Sequence, residues 1–349
     1  MRLGERFESE IREQPAVWCR LAESGNAAKL AQAIADRDVV LLGSGSSLFA
    51  AQIGAFALRR RGVRAHALAA TEAPLDGRAY RDAAVIACSQ SGESDDLLHA
   101  LDALRPRTLV ALTNRADSTL GERASTVIDV GAGTELAVPA SKSVSATVAT
   151  LLWAADCFGP EPNGRAHALV ATAQRVAEWL DGPAVEAVRQ AAQQIARQRS
   201  VIVVGAGYGL PIAHEAALKM KEASYVHAEG FAAGEFLHGS AAILDPACTI
   251  VGIVDDLSRH VVERPMRAAA RAGSPCYVLG AGLGDVPLLG PESDDGGFGA
   301  LAWLVAAQTI ALFVGRARGV DSDAPRGQSK VLLDEVDEHS TARSVFRTW

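Results

Sequence analysis

The chain has 349 residues, of which 49% are hydrophobic and 21% charged, and its formal net charge at pH 7 is -7. This length favours two domains of about 150 residues, each burying a core of its own. The acidic balance argues against a nucleic-acid partner, because the longest basic run is the three arginines at 59–61.

The five cysteines are scattered, without the CxxC spacing of a zinc site or the even number of a disulfide framework. They indicate a reducing compartment and predict no metal site. The first fifteen residues are charged rather than apolar, unlike a secretory signal. The most apolar stretch, residues 298–314, contains Gln308 and is predicted to be a buried core helix. We therefore expect a cytoplasmic protein that does not enter a membrane.

The predicted elements begin with two short helices between residues 5 and 30, separated at Pro15. Continuous apolar runs follow at residues 39–42, 85–88 and 109–112, and each leads into a loop of small residues and a helical stretch. Apolar strands that alternate with helices are typical of a parallel sheet covered on both faces.

The same pattern restarts in the second half of the chain. VVLLGSG at residues 39–45 aligns with VIVVGAG at residues 201–207, and later apolar runs at 249–254 and 276–279 supply further strands. An internal duplication explains this repeat and predicts two similar doubly wound α/β domains.

The boundary between these domains is predicted near residue 182. Ala-rich helical stretches continue to the Gly-Pro pair at 182–183, which can end a helix. The first domain would then cover residues 1–182 and the second residues 183–349.

The loops after the first strand of each half begin Gly-x-Gly, as a dinucleotide-binding loop does. The loop at 43–48 lacks the third glycine of that fingerprint, and the loop at 205–209 has the wrong spacing. Neither is followed, about twenty positions on, by a strand that ends in an acidic residue able to hold a ribose. We therefore expect no nicotinamide cofactor.

Serine residues follow two strands of the first half, at the point where each strand ends. Neighbouring parallel strands bring such ends to one crevice, where hydroxyls and helix N-termini suit a phosphate. A single serine would be explained as a helix cap, worth about 1 kcal/mol. Six exceed what capping requires, so the sequence predicts a phosphate site. These residues are Ser44, Ser46, Ser47, Ser89, Ser91 and Ser94.

The second half carries titratable side chains instead. Glu215, Lys219 and Glu222 lie at i, i+4 and i+7, on one face of a predicted helix, and His238 follows. The spacing alone leaves two interpretations open: a solvated ion pair worth a few tenths of a kcal/mol, or a buried cluster with shifted pKa values. Phosphate ligands in one half and titratable groups in the other suggest one composite site between the domains.

Four motifs occur in order along the chain: SQSGES at 89–94, GTELAVPASK at 133–142, EAALKMKEASYVHAEGFAAGEFLHG at 215–239 and RGVDSDAPRGQSK at 318–330. Together they resemble the sugar isomerase (SIS) family, in particular the isomerase half of glucosamine-fructose-6-phosphate aminotransferases. The resemblance implies two tandem SIS domains, each a flavodoxin-like parallel sheet flanked by helices. It also implies that a phosphosugar is held by Ser46, Ser47, Ser89, Gln90, Ser91, Ser94 and Ser141.

The resemblance also implies roles for five catalytic residues. Glu222 would be the base that moves a proton between C1 and C2 of the sugar, and His238 would assist ring opening from the neighbouring subunit of a homodimer. Lys330 would cover the site and be able to form an imine with a sugar carbonyl. Lys219 would lie near the sugar hydroxyls, with Glu215 as a supporting carboxylate.

The reaction expected is the conversion of glucosamine 6-phosphate to fructose 6-phosphate and ammonia, without cofactor or metal. The sequence contains no glutamine-hydrolysing part, and its tail, PRGQSKV at 325–331, is similar to that of stand-alone SIS-type glucosamine-6-phosphate deaminases. In the loop at 139–141, Pro-Ala-Ser replaces a more hydroxyl-rich stretch of the family. Two alternatives stay open: a fructosamine-6-phosphate deglycase, and a sugar-phosphate sensor that has no catalytic activity.

Overall fold

The computed structural model describes residues 2–75, 77–159, 166–293, 297–328 and residue 330. Within these residues it has nine strands in two parallel sheets, ordered β2-β1-β3-β4-β5 and β7-β6-β8-β9. The strands are β1 (Val39–Gly43), β2 (Ala65–Ala69), β3 (Ala84–Ser89), β4 (Thr108–Thr113), β5 (Thr126–Asp129), β6 (Ser200–Gly205), β7 (His227–Ala232), β8 (Cys248–Val254) and β9 (Cys276–Gly280). The predicted α/β class with two parallel sheets is confirmed.

Helices flank both sheets, and their bounds follow in chain order. They are α1 (Glu5–Ala22), α2 (Asn26–Ala33), α3 (Ser46–Arg60), α4 (Asp95–Leu104), α5 (Thr119–Arg123), α6 (Lys142–Asp156), α7 (Ala166–Asp181), α8 (Ala184–Ile195), α9 (Gly209–Ser224), α10 (Ala233–Phe236), α11 (Arg259–Arg271) and α12 (Gly299–Ala317).

The two sheets repeat one pairing scheme. In the first, β1 lies between β2 and β3, with Val39 opposite both Ala65 and Ala84. In the second, β6 lies between β7 and β8, with Ser200 opposite both His227 and Cys248. The duplicated Gly-x-Gly loops therefore leave equivalent strands.

Both faces of the first sheet are covered, because alternate residues of β1 enter different cores. Leu41 belongs to a large core that also includes Val201 and Val203 of β6, whereas Val40 and Leu42 pack into a smaller core with α4. The large core is continuous between the two sheets. The carboxyl ends of the first sheet and the helices of the second are thus held in one framework.

The predicted core helix at 298–314 is confirmed as α12 (Gly299–Ala317), which packs against α8 and α9. By length and composition α12 could cross a membrane, but 89% of its apolar window is buried inside the protein. Its apolar composition is therefore explained by core packing.

The prediction that Pro15 separates two helices is wrong. α1 continues through Pro15, which cannot donate a backbone hydrogen bond to the carbonyl of Ile11. The side chain of Gln14 supplies that bond instead, with its Nε2 atom 3.1 Å from the Ile11 oxygen. The second helix begins only at Asn26.

The predicted domain boundary near residue 182 stays a prediction. Residue 182 lies in the turn between α7 and α8. Contacts do cross this division, since Gln14 of α1 donates a 2.7 Å hydrogen bond to Gln308 of α12.

Candidate active site

A cavity of about 300 Å³ lies between the loops that follow β1 and β3 and helix α9. Its wall therefore combines residues of both sheets, as a composite site requires. The lining residues are Ser44, Gly45, Ser46, Ser47, Gln90, Ser91, Ser94, Val138, Ala140, Lys219, Glu222, Gly327, Gln328 and Lys330.

The loop after β1 brings the N-terminus of α3 to the cavity, and two glycines make this possible. A side chain at position 43 would place its Cβ atom 2.6 Å from the backbone carbon of Ser47, so only glycine allows this approach. Gly45 has φ of 53°, a left-handed conformation that favours glycine. Ser46 and Ser47 then begin the helix, where backbone N–H groups favour an anion.

The loop after β3 brings Ser94 to the same cavity. Ser94 is the N-cap residue of α4, yet in the described part of the chain its side chain makes no capping hydrogen bond. Ser118, the N-cap of α5, does accept one from the backbone N–H of Gly121. Ser94 therefore lines the cavity without capping its own helix.

Two other predicted ligands of this loop differ in position. Ser91 lines the cavity, and its Oγ atom accepts a 3.2 Å hydrogen bond from the N–H of Glu93. Ser89 is buried beneath the loop, where its Oγ accepts a 3.0 Å bond from the N–H of Gly92. Ser89 therefore shapes the turn rather than lining the cavity wall.

Glu215, Lys219 and Glu222 form a buried cluster on α9, which settles the interpretation that the spacing left open. Lys219 is 1% exposed, and its Nζ atom lies 2.5 Å from Glu222 Oε2 and 3.5 Å from Glu215 Oε1. Burial tends to lower the pKa of Lys219, but the two carboxylates outweigh it and raise that pKa. The lysine is therefore a fixed positive charge beside Glu222.

Glu215 lies behind the cavity wall and connects the cluster to the loop after β1. Its Oε1 atom accepts a 3.1 Å hydrogen bond from the hydroxyl of Ser46. Its Oε2 atom is buried, with no hydrogen-bond partner among the described residues. Burial raises the pKa of Glu215 to about 7, so this carboxyl holds its proton well above the range of an exposed glutamate.

The tail lysine meets a carboxylate that the sequence analysis did not single out. Lys330 Nζ lies 2.8 Å from Glu135 Oε2 and 2.6 Å from the carbonyl oxygen of Ala137. Glu135 is the acidic residue of the GTELAVPASK motif. Ser141 and Ser143, which follow it, are hydrogen-bond donors that could have indicated a buried carboxylate.

Ser141, a predicted substrate ligand, is occupied by the same carboxylate. It is fully buried, and its backbone N–H donates a 3.0 Å hydrogen bond to Glu135 Oε1. The cavity wall in this region is formed by Val138 and Ala140 instead.

His238 is not brought to the cavity within one chain. It follows α10 on an exposed turn, where its backbone N–H donates a 2.9 Å bond to the carbonyl of Glu235. It is absent from the cavity wall formed by the described residues. A role for His238 at this cavity would require a second subunit.

The SIS domain model matches residues 34–155 and 194–278, one segment in each half of the chain. The chain belongs to the SIS family. The SIS segments contain the loops after β1 and β3 and the whole of α9, whereas the lining residues Gly327, Gln328 and Lys330 lie outside them.

Relatives of this SIS protein include the isomerizing glutamine–fructose-6-phosphate aminotransferase of Sulfolobus acidocaldarius. It is 31% identical over 308 residues, which cover 85% of this chain and 50% of that protein. The chain thus spans about half the length of this curated relative.

Two solved structures have a similar fold. The crystal structure of a predicted phosphosugar isomerase from Silicibacter pomeroyi is 27% identical, with a TM-score of 0.74 over 91% of this chain and 99% of that one. The glucosamine-6-phosphate deaminase of Thermotoga maritima is 20% identical, with a TM-score of 0.79 over 94% and 99%. The second likeness concerns the fold alone.

Proposed function

We propose that this SIS protein converts glucosamine 6-phosphate to fructose 6-phosphate and ammonia. The observation that carries the proposal is the pairing of Glu222 with buried Lys219 in a cavity whose opposite wall is rich in hydroxyls. The name of the similar glutamine–fructose-6-phosphate aminotransferase supports a sugar phosphate whose chemistry involves an amino group as the substrate.

The phosphate is held by the loops after β1 and β3. Ser47, Ser91 and Ser94 supply hydroxyl donors, and the N-terminus of α3 supplies backbone N–H groups and the positive end of a helix dipole. Gln90 adds an amide donor in the same wall. The phosphate end is thereby directed toward the first sheet, and the carbonyl end toward α9.

Glu222 acts as the base on the open-chain amino aldehyde. It removes the proton from C2, and the electron pair moves to form an enaminol with the oxygen on C1. The same carboxyl returns the proton to C1, which gives the 2-imine of the ketose. Water then adds to the imine carbon, and ammonia leaves. One positioned carboxylate serves both transfers, because C1 and C2 are adjacent.

Positive charge near the reacting carbons stabilises the oxygen that becomes electron-rich during this transfer. Lys219 is fixed beside Glu222 by two carboxylates, and Lys330 lines the cavity on the tail side. Both cations are held before substrate arrives, so no large rearrangement is needed for them to act.

The protein works as a homodimer in this proposal. His238 of the second subunit reaches the cavity and assists opening of the pyranose ring. Its exposed position after α10 is compatible with contact to another chain.

The test is incubation of purified protein with glucosamine 6-phosphate, with ammonia and fructose 6-phosphate measured together. Equal amounts of both products are expected, without added glutamine or metal. A parallel tube contains fructoselysine 6-phosphate. Glucose 6-phosphate and lysine in that tube, with no ammonia in the first, would identify a deglycase instead. Tight binding of both compounds without any product would identify a sensor.

A further inference from the structure

Glu135 is a buried carboxylate that accepts five hydrogen bonds, the longest of them a 3.4 Å bond from the Ser141 hydroxyl to Oε1. Its Oε1 atom accepts from the backbone N–H groups of Ser141 and Ser143, each at 3.0 Å. Its Oε2 atom accepts from the Ser143 hydroxyl at 2.6 Å and from Lys330 Nζ at 2.8 Å. The Glu135 side chain is 0% exposed, so Lys330 supplies the positive charge that a buried carboxylate requires.

The ionisation of Glu135 depends on this lysine. Burial raises the pKa of Glu135, but the charge and hydrogen bond of Lys330, together with Ser143, outweigh it and hold that pKa below its usual value. Glu135 is therefore an anion at neutral pH. An anion fixed in the protein interior attracts the Lys330 ammonium and fixes its position.

The segment that carries Lys330 is anchored at three earlier residues. Asp321 accepts a 2.9 Å hydrogen bond from the N–H of Gly4, and Asp323 accepts from the N–H of Phe7 at 2.8 Å. Further along, the N–H of Arg326 donates a 2.7 Å bond to the hydroxyl of Tyr225, directly after α9. The segment from Asp321 to Arg326 therefore runs past the end of α9 toward Glu135.

Helix α1 also supports the loop that receives the lysine. Glu10 Oε1 accepts hydrogen bonds from the backbone N–H groups of Leu136 and Ala137. Ala137 is the residue whose carbonyl oxygen contacts Lys330. Helix α1 therefore contacts both ends of this arrangement. Its N-terminus binds Asp321 and Asp323, and its Glu10 binds the loop at 136–137 that contacts Lys330.

We propose that Glu135 is a positioning residue that holds the Lys330 ammonium at the mouth of the cavity. Glu135 does not line the cavity in the described residues, so it acts on the substrate only through the lysine. The site accordingly depends on a salt bridge between residues 195 positions apart. Only the turnover part of this inference rests on the proposed function.

The first test measures the reactivity of Lys330 and needs no substrate. Native protein is treated briefly with acetic anhydride, and labelling of Lys330 is compared by mass spectrometry with that of exposed Lys221 in the same molecule. Glu135→Gln keeps the shape but removes the charge, and it is expected to raise the relative labelling of Lys330 about tenfold.

The matched control is Glu13→Gln. Glu13 lies on α1 and, like Glu135, forms an ion pair with a lysine, the nearly buried Lys142, at 2.5 Å. This control should leave the labelling of Lys330 unchanged. Glu135→Asp keeps the charge but retracts it by one methylene, so it carries the test if Glu135→Gln does not fold. Unchanged Lys330 labelling in the folded Glu135 variants would overturn the proposal.

The second test is a double-mutant cycle on turnover with Lys330→Gln. If Glu135 acts through Lys330, its substitution should lower kcat about tenfold in the wild-type background and hardly at all in the Lys330→Gln background. Equal losses in both backgrounds would show a merely structural role and overturn the proposal. Absence of deaminase turnover in the wild type would contradict the proposed function, while the labelling result would still decide the role of Glu135.

Discussion

Ser46 and Glu215 are joined by a 3.1 Å hydrogen bond that connects the loop after β1 in the first sheet to α9 of the second. From Glu215 the connection continues through Lys219 to Glu222. The loop that would bind the phosphate and the carboxylate that would move the proton are therefore linked by three consecutive polar contacts. Each can be tested separately.

Glu215 should make the stability of the protein depend on pH. Its pKa is raised from 4.5 to about 7 by burial, so between these values the unfolded state loses a proton that the native state keeps. Rising pH therefore favours unfolding. Glu215→Gln resembles the protonated acid and lacks this term, so wild type should lose roughly 2–3 kcal/mol relative to the variant between pH 5 and 8.

Urea unfolding of wild type and Glu215→Gln at four pH values measures this difference. Two stability curves that run parallel across the whole interval would show that Glu215 is ionised in the native state.

Glu222→Gln should abolish turnover but preserve binding. The amide keeps the size of the side chain and cannot accept a proton from carbon, so kcat is expected to fall about a thousandfold. The dissociation constant of the sugar phosphate, measured by calorimetry, should change little.

Glu263→Gln is the control for this substitution, because Glu263 pairs with Arg267 on α11 and does not line the cavity. Its kcat should equal that of wild type. A Glu222→Gln enzyme within threefold of wild type would mean that another group is the base.

Ser94→Ala and Ser118→Ala should separate ligand binding from helix capping. Ser94 lines the cavity and its side chain does not cap α4, so loss of its hydroxyl should raise KM for the phosphorylated sugar about tenfold and leave the melting temperature unchanged. The hydroxyl of Ser118 caps α5, so its loss should cost about 1 kcal/mol of stability without affecting KM. The reverse pattern would show that Ser94 is structural.

A Glu222→Gln subunit, which keeps His238, should restore the activity of a His238→Ala subunit, which keeps Glu222. Mixing Glu222→Gln and His238→Ala proteins by unfolding and refolding gives mixed dimers in which one site has both native residues. Because half of the dimers are mixed, activity should recover to about a quarter of wild type. Recovery requires that the two residues come from different chains, so two inactive parents that remain inactive after mixing would place His238 and Glu222 in one subunit.

The sequence predicts every central strand, but of the four edge strands it predicts β9 and not β2, β5 or β7. β1, β3, β6 and β8 are continuous apolar runs that the burial of both faces demands. The sequence does not predict β7, because its segment HAEGFA is half-exposed and contains glycine and a charged residue. An edge strand pairs on one side only, so its composition is less constrained.

The candidate site shows a similar division. The serine loops and the α9 cluster could be predicted because each depends on local spacing. Glu135 could not be connected to Lys330 by any spacing, since their contact is created by the tertiary fold. The prediction of a helix break at Pro15 is wrong because the side-chain amide of Gln14 replaces the missing backbone hydrogen bond, and backbone preferences do not reveal such a replacement.

The capping of α1 by Asp321 and Asp323 also constrains how the protein is made. Gly4 and Asp321 are separated by 317 positions. The backbone N–H groups at the start of α1 therefore lack their aspartate acceptors until nearly the whole chain has been synthesised. Until then, the tail that brings Lys330 to the cavity has no anchor on α1. A chain that ends before residue 321 lacks both this support for α1 and the segment that carries Lys330 to Glu135.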